Sequence, residues 1–387
     1  MYSERSFLKK NKKVLFKDIV GQHDVKKRLI ESAKRGYIPH AQLFCGPEGI
    51  GKLLLAVAYA QYLNCENPSE TDSCGACPSC VKYKNLAHPD LHFVFPIIKK
   101  AAKKKEVCDD YISEWREMLI EQPYFSFNQW LSHIDAENSQ GIIYAKESEE
   151  IIRKLNLRIY ESKYKVMIIW LPEKMHEHCA NKLLKIIEEP TSDTLFLLIA
   201  NAPDNIINTI QSRCQRVNIQ GVEKGDLVEA LSLKYGIEKN VAGNIAHLSK
   251  GSFLKALEII SLDEEHKAFF NLFVEMMRAS YARNIKLIKT IGNDLATIGR
   301  EKQKNYLIYC QRMIREYFVT NLNQPEIVYL SADEDKFGVK FAPFINERNI
   351  EDFMMELALA ERHVEQNVNA KMVFFDLCLK ITMLLKR

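Results

Sequence analysis

The sequence has no run of about 18 apolar residues, so no membrane-spanning helix is expected. Its opening residues, Met-Tyr-Ser-Glu-Arg-Ser, lack the apolar core of a secretory leader, which makes the cytoplasm the default compartment. It lacks a charge excess as well. Fifty-four basic residues against 50 acidic ones leave +4, too little to mark a nucleic-acid binder by itself. In a reducing compartment, disulfides are excluded as the reason for ten cysteines. The most informative absence is a single hydroxyl. Gly46-Pro-Glu-Gly-Ile-Gly-Lys52 follows the G-x-x-x-x-G-K pattern of a phosphate-binding loop, which should continue with Ser or Thr, but the next residue is Leu53. The glycines of such a loop let backbone N–H groups wrap a polyphosphate, the lysine reaches the outer phosphates, and the hydroxyl holds Mg²⁺. Leucine offers no oxygen. Gly46, Gly49, Gly51 and Lys52 can still form a phosphate cradle, but the metal site is broken at its first ligand.

What is present fits a nucleotide fold. Ala41–Cys45 reads as a short strand entering the loop, and Leu53–Leu63 as a buried helix leaving it, the setting the motif requires. Strand signals recur at Leu91–Val94, Val166–Trp170, Leu195–Ile199 and Gln215–Ile219. Helices are expected at Lys146–Asn156 and at His178–Glu189, the latter stopped by Pro190. The apolar runs suit strands buried on both faces. The fold class is therefore α/β, a doubly wound parallel sheet ending near Gly221. Beyond it the sequence turns helix-forming. At 387 residues and 47% hydrophobic, the chain is long enough for two or three domains. The division expected is a P-loop domain at 1–221, a small helical lid at 222–262 and an all-helical domain at 263–387.

Four cysteines are spaced like metal ligands: Cys65, then Cys74-Gly-Ala-Cys77-Pro-Ser-Cys80. Two successive C-x-x-C steps with a fourth thiol upstream suit one tetrahedral structural Zn²⁺. A redox pair is the weaker reading, since it does not need four thiols. Cys108 is a substitute ligand, and Cys45, Cys179, Cys214, Cys310 and Cys378 sit in apolar patterns as buried thiols. A second loss concerns water activation. The strand Val166–Ile169 runs into Trp170-Leu171, where a P-loop ATPase places an acidic pair for Mg²⁺ and for the attacking water; Glu173 lies displaced past Pro172. Losing both sites argues against hydrolysis by this chain alone.

These features together resemble the clamp-loader AAA+ subunits of bacterial DNA polymerase III. Phe16-Lys-Asp-Ile-Val-Gly-Gln22 resembles the opening box of these modules. Cys65, Cys74, Cys77 and Cys80 match the spacing of their zinc module at 65–80. Asn181-Lys-Leu-Leu-Lys-Ile-Ile-Glu-Glu-Pro190 resembles the helix after the second motif strand, and His363-Val-Glu-Gln-Asn-Val-Asn369 a helix of the collar. Ser212-Arg213-Cys214 matches the Ser-Arg-Cys motif, whose arginine acts in trans on ATP held by the adjacent subunit. Local pairing of Arg213 with a carboxylate is the plainer alternative, and Arg216 is close enough to be confused with it.

The resemblance implies an AAA+ P-loop module with zinc module, lid and C-terminal collar. It also implies gamma/tau-like motor subunits and a delta-like subunit as partners, with the sliding clamp and primed DNA reached through the complex and no membrane. The motor subunits should keep the hydroxyl, the acidic pair and an arginine after Gly-Ser; here Gly251-Ser-Phe-Leu254 has leucine. Asn201 stands at the polar sensor position. Broken catalysis with a retained trans-acting arginine is the pattern of the delta-prime branch, with ATP binding weak or absent. The alternatives are the gamma/tau-like motor ATPase and, in a different class, a stand-alone zinc DNA-binding protein; a nucleoside kinase lacks an arginine cluster for its acceptor.

Two features fall outside this resemblance. Lysine runs at Lys9–Lys13 and Lys99–Lys105 read first as solvated chain. The stretch 97–142 is an insertion carrying Trp115, Tyr124, Phe125, Phe127 and Trp130. It reads either as a helical excursion packing Trp115 and Met118 on the body or, with its lysines, as a single-strand binder.

Overall fold

A computed structural model of the chain describes residues 15–100, 105–137, 139–190, 193–322 and 330–386. The run Lys9–Lys13, together with Lys103 and Lys104, lies outside the described residues. The chain divides after Ile260 into two compact units.

In the first unit, strands β1 (Ala41–Cys45), β2 (Leu91–Val94), β3 (Lys165–Trp170), β4 (Thr194–Ala200) and β5 (Gln215–Asn218) form one sheet in the order β2-β3-β4-β1-β5. Every pairing is parallel, with Leu43 opposite Leu198 and Ile168 opposite Leu197. The strand positions expected from the sequence are met to within one residue. Every residue of β1, β3 and β4 is buried, which explains why they read as unbroken apolar runs rather than alternations. β5 lies at the edge, and only its Val217 is buried.

The helices of this unit are α1 (His23–Lys34), α2 (Lys52–Leu63), α3 (Pro78–Lys84), α4 (Ile112–Glu121), α5 (Phe127–His133), α6 (Glu147–Asn156), α7 (Glu177–Glu188), α8 (Asn208–Gln211), α9 (Lys224–Tyr235) and α10 (Lys239–Leu248). α2 is buried on every side from Lys52 to Tyr62, as an all-apolar helix in a large core must be. α9 and α10, the expected lid, contribute Leu227, Leu231, Ala242 and Ala246 to the same apolar core as the sheet. Because the strands are parallel, the loops leaving β1, β3 and β4 gather at their carboxyl ends, the edge where α/β sheets hold ligands.

The insertion folds against this edge through its aromatic residues. Trp115 of α4 is fully buried. Its ring stacks on Phe95 at 4.1 Å and meets Trp130 at 5.1 Å, Trp170 at 5.2 Å and Phe125 at 5.7 Å. All three tryptophans of the chain thus share one cluster. The indole N–H of Trp130 donates to the Pro96 carbonyl at 2.8 Å, which satisfies its polar handle inside the core. Trp115, Tyr124, Phe125 and Trp130 are therefore buried, so the faces a single-strand binder would stack on bases are turned inward.

Helix α11 (Phe253–Tyr281) leads on to the second unit, built from α12 (Ile285–Thr297), α13 (Arg300–Asn321), α14 (Ala332–Phe341), α15 (Ile350–Glu365) and α16 (Ala370–Leu384). Its core is apolar and aromatic, with Phe273, Tyr306, Ile314, Phe353, Phe374 and Ile381 buried. Glu334 is buried in this unit but satisfied: it accepts from the Tyr309 hydroxyl at 2.6 Å, Arg312 at 2.6 Å and the Ser331 amide at 2.8 Å. Among the described residues no helix is long and apolar enough to cross a membrane.

Truncating Trp115 removes the ring that five other aromatic side chains, Phe93, Phe95, Phe125, Trp130 and Trp170, pack against. Trp115→Ala is expected to lower the unfolding free energy by about 3–5 kcal/mol, the usual cost of emptying a large aromatic site. Equilibrium urea denaturation of the full chain measures it, and a loss under about 1 kcal/mol would mean that the insertion does not depend on this joint.

Candidate functional site

The phosphate-type loop joins β1 to α2 at the sheet's carboxyl edge. Gly49 and Gly51 have φ of +80° and +91°, in the left-handed region that glycine tolerates. Gly49 has no room for a side chain either, since a Cβ there would lie 2.4 Å from Ser252 Oγ and 2.5 Å from Leu254 Cβ. The loop is tied to the start of α11 at this point. Ser252 Oγ donates to the Glu48 carbonyl at 3.0 Å, and the Leu254 amide donates to the Gly49 carbonyl at 3.2 Å. Leu254 thus braces the loop by its backbone.

Lys52 does not project into an open cradle. It is buried, and its ammonium donates to the carbonyls of Gly46 at 2.8 Å and Pro47 at 2.5 Å. Burial lowers its pKa to about 8, opposed by the nearby carboxylates of Glu173 and Glu48. The cavity left beside it measures about 40 Å³ and is lined in part by Gly49, Gly51, Lys52, Leu53, Trp170 and Asn201. Leu53 and Trp170 present carbon to it where a metal and its water would need oxygen. Leu171 is buried, and its backbone is left-handed with φ +57°. Glu173, displaced in sequence, returns in space: one oxygen accepts from the Asn201 amide at 2.8 Å and the Ala202 amide at 3.1 Å. Its carboxylate holds the loop after β4 in place. The Asn201 side chain points toward Glu48, at 3.5 Å. The parts of Glu48 and Glu173 leave no local trace in the order of residues, because both depend on contacts between residues far apart in the chain.

The four spaced cysteines come together. Their sulfurs lie within 4.8 Å of one another, and Cys74 Sγ is 3.9 Å from Cys80 Sγ. Four thiolates at about 2.3 Å from a tetrahedral centre would be about 3.8 Å apart, so the set fits one thiophilic ion. The backbone is arranged for negative sulfur. Cys74 N donates to Cys65 Sγ at 3.3 Å, Cys77 N to Cys74 Sγ at 3.3 Å and Cys80 N to Cys77 Sγ at 3.4 Å. Pro78 opens α3 and sets Cys77 as its cap. Asp72 ties this loop to the body by accepting from the Phe16 and Lys17 amides, each at 3.1 Å. Cys108 is not a substitute ligand. It is buried elsewhere, within the insertion, its thiol donating to the Phe95 carbonyl at 3.1 Å, and the clustered thiols are the other four. Cys45, Cys179, Cys214, Cys310 and Cys378 are buried thiols.

Arg213 sits between α8 and the edge strand β5. One guanidinium nitrogen donates to the Thr209 carbonyl at 2.9 Å, and another pairs with Glu188 at the end of α7. The local carboxylate expected as the plainer alternative is thus present, and it comes from the Asn181–Pro190 segment. Both side chains remain more than a third exposed. Ser212 Oγ donates to the Thr209 carbonyl at 3.2 Å, and Cys214 is buried, so the two flanking residues fix the turn that presents the arginine. Arg216 points elsewhere, donating to the Asn218 side chain at 2.8 Å.

Residues 21–223 match the family described as DNA polymerase III, delta subunit. Among curated relatives, the chain is 29% identical to DNA polymerase III subunit delta' of Bacillus subtilis over 62% of the chain and 59% of that protein. It is 27% identical to subunit tau of the same organism over 63% of the chain and 37% of that protein. It is 26% identical to subunit gamma of Buchnera aphidicola subsp. Schizaphis graminum over 84% of the chain and 86% of that protein. The chain thus spans less than two thirds of the delta' and tau relatives it matches.

The Arg213–Glu188 pair is a half-exposed surface contact, of a kind that contributes about 0–1 kcal/mol. Glu188→Ala is therefore expected to change the unfolding free energy by less than about 1 kcal/mol in a urea titration, leaving the arginine free to meet another anion. A larger loss would make the pair a structural brace.

Proposed function

Because the chain belongs to the clamp-loader family of DNA polymerase III, which takes in delta, delta-prime and gamma/tau subunits, we propose that it is a noncatalytic, delta-prime-like subunit. It would assist an ATP-driven complex that loads a sliding clamp on primed DNA. One observation carries this choice within the family. Both positions that should hold Mg²⁺ and activate water, Leu53 and Trp170-Leu171, are apolar and buried in the core. A P-loop without its hydroxyl and its acidic pair cannot neutralise a transferring phosphoryl group. The partners follow from the family: gamma/tau-like motor subunits and a delta-like subunit, with clamp and DNA reached through the assembly.

Arg213 is the chain's contribution to catalysis in this reading. A guanidinium is planar, permanently charged and forked, so it can meet two phosphate oxygens at once. At the edge of the sheet it is placed to act on a nucleotide held by a neighbour, and the weak hold of Glu188 suits exchange for a more highly charged partner. Ser212 and Cys214 position it. The second reading, a gamma/tau-like motor, is favoured by the gamma relative that aligns along most of both chains. Turnover decides between the two. The purified chain is expected to hydrolyse no ATP above background, and hydrolysis abolished by Lys52→Ala would establish the motor instead.

In a complex reconstituted with motor subunits, Arg213→Ala should leave assembly intact while clamp loading and the clamp- and DNA-stimulated ATPase fall. Such fingers contribute about 10³–10⁵ in rate at the site they serve. Unchanged loading in an intact complex would reduce Arg213 to a partner of Glu188.

The thiol set Cys65, Cys74, Cys77 and Cys80 would hold one structural zinc. Zinc would supply cross-linking only, since all four positions are taken by protein. Metal analysis should find about one zinc per chain. Stripping it with a chelator should loosen the 65–84 segment, because binding of about 10–16 kcal/mol in small peptides is coupled to their folding. Protein purified without chelator that contains under about a tenth of an equivalent would remove the zinc reading.

A further inference from the structure

We propose that Pro123–Phe125 of the insertion is an internal occupant of the phosphate loop's mouth, and that Tyr124 and Phe125 exclude nucleotide from the site independently of the lost metal ligand at Leu53. This rests on reading Gly46–Lys52 as a loop of nucleotide-binding ancestry. It goes beyond the missing catalytic groups, because a P-loop that had lost only those would still leave space for a nucleotide.

The space is absent. Ligand pockets run from about 300 to 1,000 Å³, whereas the cavity at Lys52 measures about 40 Å³, room for little more than a water molecule. Pro123, Tyr124 and Phe125 form part of its wall, opposite Gly51 and Lys52. Tyr124 stands so close that a Cβ on Gly51 would lie 3.3 Å from its ring and from its hydroxyl. That hydroxyl accepts the Val20 amide at 3.1 Å, and the ring meets Phe253 at the start of α11 at 4.8 Å, edge on. A single side chain thus joins the opening box, the loop and the start of α11. Phe125 is seated between Trp115 and Trp170, at 5.7 and 5.3 Å. Trp170 stands where the acidic pair of an ATPase would begin, so the residue that replaced a metal ligand also makes the seat for the plug.

The electrostatics act in the same direction. The cradle's one lysine already donates to its own loop's carbonyls, and two carboxylates, Glu48 and Glu173, lie close enough to act on its charge. A triphosphate entering here would meet one buried cation, two anions and a cavity of only about 40 Å³.

The test uses the full chain and a fluorescent ATP analogue with Mg²⁺, read by polarisation. Leu53→Thr restores the metal's hydroxyl and should still bind no better than the parent protein. Leu53→Thr combined with Tyr124→Ala and Phe125→Ala should bind at least tenfold more tightly than Leu53→Thr alone. Binding by Leu53→Thr alone equal to that of the triple variant overturns the proposal, and so does a folded triple variant that binds no better than the parent. Should the triple variant fail to fold, Tyr124→Phe provides a milder probe. It keeps the ring and removes only the hydroxyl, so the analogue should stay excluded while the Val20 amide exchanges with deuterium at least tenfold faster. Unchanged exchange, or entry of the analogue, overturns it. Assembly with motor subunits is measured on the same variants. Assembly that persists while the exclusion test fails removes the plug and leaves the clamp-loader reading standing.

Discussion

Trp170 pressed against Trp115 and Phe125 is the contact on which the edge of this sheet depends. β3 is a central strand, buried along its length, and its last residue must match whatever covers the carboxyl edge. In a hydrolysing P-loop module that residue is acidic and the edge stays open to metal, water and nucleotide. Here it is an indole, and an indole at a sheet edge exposes a large apolar area unless something covers it. The insertion supplies the cover. Phe95, at the end of β2, and Trp130 complete the joint, so α4, α5 and the sheet share one dry cluster. Closing the edge in this way takes away the volume that nucleotide chemistry requires.

Interior and rim of the unit differ accordingly. At the loop, three polar side chains have partners fixed by the fold: Lys52 with its own loop's carbonyls, one oxygen of Glu173 with the Asn201 and Ala202 amides, and Tyr124 with the Val20 amide. At the rim, Arg213 is held by one carbonyl and one half-exposed carboxylate. The loop is thus filled and braced, whereas the arginine at the edge is held only by groups near the surface. The thiol cluster's loop is tied to the same unit, because Asp72 accepts from the Phe16 and Lys17 amides at the start of the opening box.

Much of this was legible in the order of the residues. Unbroken apolar runs such as Val166–Trp170 and Leu195–Ile199 announced doubly buried strands, since a parallel sheet covered on both faces tolerates no alternation. The spacing from Cys65 to Cys80 located a thiol cluster, because ligand geometry acts over a few residues and leaves a local trace. Leu53 and Trp170-Leu171 disclosed missing metal ligands for the same reason. Other features left no local trace. The sequence offered the insertion's aromatics first as core and second as stacking surface, and only their burial decided between the two. Cys108 stood as a spare ligand in the sequence, yet it lies buried within the insertion, hydrogen-bonded to Phe95. Glu173, set aside because Pro172 displaces it, turns back through a short turn to clamp the loop after β4.

The sequence by itself determined the strands, the loop, the ligand set and the chemistry lost from the P-loop, since each is written in residue types at short, fixed spacings. Only the tertiary structure decided what fills the site. Tyr124 reaches Val20 across 104 residues and packs on Phe253 across a still longer stretch of chain, and Glu188 meets Arg213 from another helix. Such contacts are set by how whole layers pack against one another, and side-chain volume in a closed core is a property of the assembled layers rather than of any segment.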